Sequence, residues 1–190
     1  VTHILIADFE LKSIAAMAGT IAGVVIAGLI AVVFGKTSHI TGMNVNEIET
    51  LMYVGQNSKL DIGGMLFSGI LISSMGAVMD VAMSVSSSLN EINTKMPDIT
   101  QKELFKSGIT IGRDMIGTMA NTLILAYVGG SINLVMIIYA YSYQIHQIIN
   151  MYSIGIEIMK GIAGTMGIVL TVPFTSLITS VMLKKSKKLK

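Results

Sequence analysis

The chain has 190 residues, of which 52% are hydrophobic and only 13% charged, with a formal net charge of +2 and a mean hydropathy of +0.72. Soluble domains run at about 25% charged, so there is too little polar surface here to cover a soluble core of this size. The absence of cysteine excludes disulfides, thiol catalysis and cysteine-based metal sites, and the three histidines, His3, His39 and His146, show no metal-ligand spacing.

In chain order, Ile14–Phe34 is uncharged and meets the roughly 20 apolar residues a bilayer-crossing helix needs. Its length, with Asp8 and Glu10 ahead of it, sets it apart from a signal peptide. Asn44-Val-Asn-Glu47 offers a helix cap, followed by an apolar face of Val45, Ile48, Leu51 and Met52 suited to the outer interface. Ile62–Asn90 is the second span, and Asp80 is its one charged residue. Thr100-Gln-Lys-Glu103 is a capping box with Pro97 just upstream, so a helix starts there and runs into the third span, about 110–128. Met115–Ile156 lacks Asp, Glu, Lys and Arg and breaks at Gly129-Gly130-Ser131. The segment 132–160 is expected outside the membrane or re-entrant, the rival being a fifth span at about 132–146. Gly161–Leu183 is the last span, with a kink expected at Pro173.

The fold class this predicts is all-α integral membrane. It is a polytopic bundle of about four transmembrane helices plus short interfacial helices, forming a single membrane domain over 1–190. The chain begins with Val rather than Met, and a fragment of a longer protein is expected. Basic residues set the orientation. With the N-terminus inside, Lys12, Lys95, Lys102, Lys106, Arg113, Lys184, Lys185, Lys187, Lys188 and Lys190 are cytoplasmic, against Lys36, Lys59 and Lys160 outside. Both termini are therefore expected in the cytoplasm.

On the second span, Gly69, Ser73, Gly76, Asp80, Ser84, Ser87 and Glu91 recur in steps of three and four and share one helix face. On the third, Thr110, Asp114, Thr118 and Asn121 form a second polar stripe. An ionised carboxylate in hydrocarbon costs about 3 kcal/mol on insertion scales, so Asp80 is expected to face protein or water. Asp80 lies ~27 Å from Ile62 and Arg113 ~24 Å from Gly129 by helical rise, so Asp80, Arg113 and Asp114 are expected to meet on the cytoplasmic side. Two roles stay open: a titratable site for proton or ion relay (Asp80, Arg113, Asp114, Thr118, Asn121), or a structural ion pair of Asp80 with Arg113. Gly69 and Gly76 are expected to let the two spans approach closely, and Gly19 and Gly23 to do the same for the first span. Gly161, Gly164 and Gly167 read likewise. The Gly19–Gly23 and Gly108–Gly112 pairs lack the Lys and strand context of a phosphate loop. The lysine-rich tail reads as an orientation signal or anionic-lipid contact, not as a nucleic-acid site.

Gly76-Ala-Val-Met-Asp80-Val-Ala, Lys102-Glu-Leu-Phe and Gly112-Arg-Asp-Met-Ile-Gly-Thr-Met-Ala-Asn121 through to Ser131 resemble the YibE/F family of bacterial membrane proteins, over about residues 60–183. The resemblance implies a multi-pass protein of the bacterial cytoplasmic membrane, of which this chain is the C-terminal half. A weaker similarity links the acid-bearing helix, the Arg/Asn/Thr helix and the Gly-Gly turn to the membrane halves of the Sec translocon accessory subunits D and F, of the resistance–nodulation–division superfamily. That likeness implies an acid that relays protons; the segment 132–160 departs from its pattern.

Two functional readings follow: a proton- or ion-coupled transporter or export-accessory subunit that uses Asp80, and a non-transporting membrane scaffold in which Asp80 fixes helix assembly. An enzyme is not expected, because the surroundings of Asp80 and Asp114 do not match an intramembrane aspartyl protease. No cofactor or metal is expected. The expected partners are the lipid bilayer and the missing N-terminal half, a partner membrane subunit or a second copy, with no nucleic acid.

Overall fold

The computed structural model describes residues 11–38 and 62–188. Six helices account for nearly all of them: α1 (Leu11–Thr37), α2 (Ile62–Lys95), α3 (Gln101–Gly130), α4 (Ile132–Ala140), α5 (Ile145–Ile149) and α6 (Tyr152–Lys188). The described residues contain no strand, and the fold is an all-α polytopic membrane bundle. The capping expected at Asn44–Glu47 lies outside the described residues.

α6 is the central helix and packs against α1, α2 and α3, while α2 packs on both α1 and α3. The closest approaches fix the directions. Gly19 sits on Thr175 and Gly23 on Thr171, so α1 and α6 are antiparallel. Gly28 meets Leu71 and the Ser86 hydroxyl donates to the Lys12 carbonyl (2.7 Å), so α1 and α2 are antiparallel. Leu89 lies on Gly108 and Ser73 on Tyr127, which makes α2 and α3 antiparallel as well. The long helices therefore alternate in direction along the chain, with α2 and α6 side by side and parallel. α1 and α3 flank that pair.

The main core joins Val78, Val81, Val85 and Leu89 of α2 to Leu104 and Leu123 of α3 and Ile168, Val172 and Leu183 of α6. A second cluster, Ala31, Ile70, Ile156, Met159 and Ala163, closes the other end of the α1–α2–α6 contact. α3 starts where the sequence predicts. The Thr100 hydroxyl accepts from the Glu103 N–H (3.2 Å) and the Glu103 carboxylate accepts from the Thr100 N–H (3.0 Å). α6 continues through Pro173, whose ring leaves the Val169 carbonyl without its usual helical donor.

Three helices are each long and apolar enough to cross a membrane: Lys12–Thr37, Phe67–Lys95 and Tyr152–Lys185. α3 passes that test only together with α4, across a 51° bend. Arg113 and Asp114 dilute the start of the span expected at 110–128, and the apolar run carries on past Ser131. The nine residues of α4 reach only ~14 Å, too short for the rival fifth span. The last helix starts at Tyr152, ahead of the expected Gly161, and its 37 residues extend ~55 Å, well beyond a hydrocarbon core of about 30 Å.

Candidate functional site

The polar stripes of α2 and α3 lie on the outside of the bundle. Along α2, Ile70, Ser74, Val78, Val81, Ala82, Val85, Ser86 and Leu89 are buried, whereas Gly69, Ser73, Gly76 and Asp80 are exposed. Along α3 the buried residues are Leu104, Gly108, Gly112 and Leu123, and Thr110, Arg113, Asp114, Thr118 and Asn121 are exposed. The stripes mark coherent helix faces, as their spacing predicts, but those faces point away from the core.

Among the described residues, Asp80, Arg113 and Asp114 form no ion pair; the pairs seen are Glu91–Lys95 and Glu157–Lys160. The register explains why Asp80 and Arg113 do not meet. With Leu89 on Gly108 and Ser73 beside Tyr127, Asp80 stands near the level of Thr118. Arg113 then lies five residues, or ~7.5 Å, nearer the other end. Counting depth inward from Ile62 and Gly129 placed the two together because it ignored how the helices slide against each other. Among the described residues no cluster of His, Asp and Glu suited to a metal ion gathers.

The close-packing glycines divide into two groups. Gly19 and Gly23 carry the α1–α6 contact, as expected: a methyl group on either would run into the hydroxyl of Thr175 or Thr171. Gly69 and Gly76 do not pack closely on any described residue; a methyl group on either meets nothing among them within 4 Å. The α3 residues that do pack closely are Gly108, against Ser176 and Leu89, and Gly112, against Val172. Gly164 and Gly167 pack against Leu123 and Ala27, while Gly161 is open.

The chain's buried polar seam lies elsewhere, on α6. Thr171, Thr175, Ser176, Thr179 and Ser180 are fully buried. Thr171 donates to its own helix at Gly167 (2.7 Å), Ser180 to Leu177 (2.9 Å), and Thr179 to Ser86 of α2 (3.3 Å). Thr175 and Ser176 make no conventional hydrogen bond; their hydroxyls rest on the backbones of Gly19 and Gly108, where weak Cα–H···O contacts recur between helices. The repeat Thr171-x-x-x-Thr175-Ser176-x-x-Thr179-Ser180 is visible in the sequence and pairs with the Gly19 and Gly108 motifs. Sequence reasoning passed over it because hydroxyls, unlike Asp80, carry no charge to draw attention.

The family model for YibE/F-like proteins matches residues 1–185, so the match includes α1 as well as the region from residue 60 onward. No curated protein and no solved structure matches the chain, and the likeness to Sec accessory subunits gains no support. With its polytopic helical bundle and a match over nearly its whole length, the chain belongs to the family of YibE/F-like proteins.

Proposed function

We propose that this chain is a membrane subunit whose α2–α3 polar face works against another membrane-embedded unit, in proton- or ion-coupled transport or as an export accessory. One observation carries the reading: Asp80 is exposed and, among the described residues, without an ion partner on the outer face of a helix apolar enough to cross a membrane. Lipid is a poor neighbour for it. The same exposure holds for Arg113, Asp114, Thr118 and Asn121. Such a face calls for water or for polar groups of a second unit, and a carboxylate at a seam between two units can exchange its proton as the seam opens. In this reading Asp80 is the titrating group, Arg113 stands ~7.5 Å further along the axis, and Thr118 and Asn121 line the path. The setting is the bacterial cytoplasmic membrane, with both termini in the cytoplasm.

The test is complementation in the native host, run beside thermal unfolding of the purified chain. Asp80→Asn keeps shape and hydrogen bonding but cannot titrate. The proposal expects loss of complementation with an unchanged melting temperature, and recovery with Asp80→Glu. Full complementation by Asp80→Asn moves the reading to the scaffold, in which the same face holds an assembly together without coupled movement of ions.

A further inference from the structure

Apart from Asn133 in its first turn and the Tyr139 hydroxyl near its end, α4 is apolar around its circumference, and none of its side chains is buried: Ile132, Val135, Met136 and Ile137 are all exposed. A helix that is hydrophobic all round belongs in a protein interior or in hydrocarbon. Tyr139 near its end, and Tyr141, Tyr143 and Tyr152 beyond it, are also exposed, so four of the chain's six tyrosines gather at one end of the bundle. The rings of Tyr141 and Tyr143 stand 6.0 Å apart. Ser142, at φ 50°, turns the chain between them. Tyrosines grouped at the end of a membrane helix mark the headgroup level.

The 51° bend between α3 and α4 opens a cavity of about 410 Å³ against α6. Its wall includes Ile124 and Val128 of α3, Leu134 and Val135 of α4, and Ile158 and Gly161 of α6. The neutral polar groups beside it are already engaged. Tyr127 shares a hydrogen bond with Ser73, Ser131 donates to the Tyr127 carbonyl, and Thr165 donates to the Gly161 carbonyl. Ordered water needs two to four polar partners, and this space offers few free ones. The volume falls in the range of ligand-binding pockets, about 300–1,000 Å³. Glu157 also lies in the wall and pairs with Lys160 at 2.7 Å. Because Gly164 packs on Leu123 of the antiparallel α3, Glu157 stands level with the end of α3, one to two turns below Tyr152.

From the cavity, the tyrosine cluster and this charge pair together, we infer that the bend between α3 and α4 is a lipid site. One acyl chain of a zwitterionic phospholipid fills the cavity, and its phosphate and ammonium groups lie against Lys160 and Glu157. The charge pair is complementary to a headgroup carrying both signs, and α4, apolar but for Asn133 and the Tyr139 hydroxyl, forms the wall that faces the bilayer.

Two measurements on the full chain test this. In native mass spectrometry after detergent exchange, the wild type should retain one phosphatidylethanolamine per chain. Gly161→Phe should lose it without a change in melting temperature, since Gly161 lines the cavity and an added Cβ meets nothing within 4 Å. The chain contains no tryptophan, so Val135→Trp gives a single reporter in phosphatidylethanolamine-containing vesicles. Its emission should be quenched by brominated acyl chains and little by aqueous acrylamide. Adding Gly161→Phe should reduce the bromine quenching at least twofold. Equal lipid retention by wild type and Gly161→Phe overturns the site. So does preferential retention of phosphatidylglycerol, quenching by acrylamide instead of bromine, or quenching by neither, which would mean that protein covers the cavity.

Discussion

Gly23 has no room for a methyl group, because one would collide with the Thr171 hydroxyl and approach Val78 to 2.9 Å. Gly23→Ala should therefore destabilise the bundle by about 1–3 kcal/mol, the usual cost of overpacking, as read by thermal unfolding in detergent. Thr171→Ala in the same chain removes the colliding oxygen and should recover part of that loss. Arg113 behaves differently. It is exposed and forms no ion pair among the described residues, so Arg113→Ala should shift the chain's own stability by no more than about 0.5 kcal/mol. The contrast shows what the sequence conveyed at this scale. Gly19 and Gly23 were readable as packing residues because their spacing repeats every helical turn. Gly69 and Gly76, two turns apart on one helix face, pack on nothing among the described residues, since spacing defines a face without saying what covers it.

At the scale of the helices, Gly76→Leu separates folding from assembly. With open space around Gly76, the larger side chain should leave the melting temperature of the isolated chain unchanged while weakening cross-linking of this face to its partner in native membranes. The aqueous start of α3 carries a pH dependence. The Thr100 backbone N–H, and next its hydroxyl, hydrogen-bond the Glu103 carboxylate and hold its pKa below the ordinary value of 4.5. A depressed pKa stabilises the folded helix start above the unfolded-state pKa, and that contribution is lost as pH falls through the folded one. Hydrogen exchange of the first-turn amides of α3 should therefore accelerate, relative to intrinsic rates, below about pH 4.5. Glu103→Gln keeps the capping geometry and should flatten that acid dependence. The capping box was legible residue by residue because it is a local motif. The bend at Ser131 was legible only as a break after Gly129-Gly130. Whether the apolar run beyond it would be a span or a shorter helix depended on how far α4 extends.

For the whole molecule, the alternation of helix directions puts Ser38 and Ser142 at one end of the bundle and the α2–α3 connection at the other, with the C-terminal end of α6. The orientation proposed from the distribution of basic residues puts the second end in the cytoplasm. In the cysteine-free chain, a cysteine at Ser142 should react with an impermeant thiol reagent from outside, and one at Ser186 only after the membrane is opened. The class of fold was legible from composition, since apolar runs of this length have few other uses. The arrangement of the seam was not. Polarity alone assigns Asp80 and Arg113 to the interior, whereas the buried polar groups are Thr171, Thr175 and Ser176, which rest on glycines, and Thr179, bonded to Ser86, and the charged stripes face outward. The central claim is that this outward face is met by water or protein in the working membrane. Nitroxide labels at Gly76 and Asn121, compared with one at Ile21 on the exposed apolar face of α1 in native-host membranes, test it directly. The account predicts that oxygen, which concentrates in lipid, reaches positions 76 and 121 far less than position 21. Equal oxygen accessibility at all three would mean that the face lies against lipid and would contradict it.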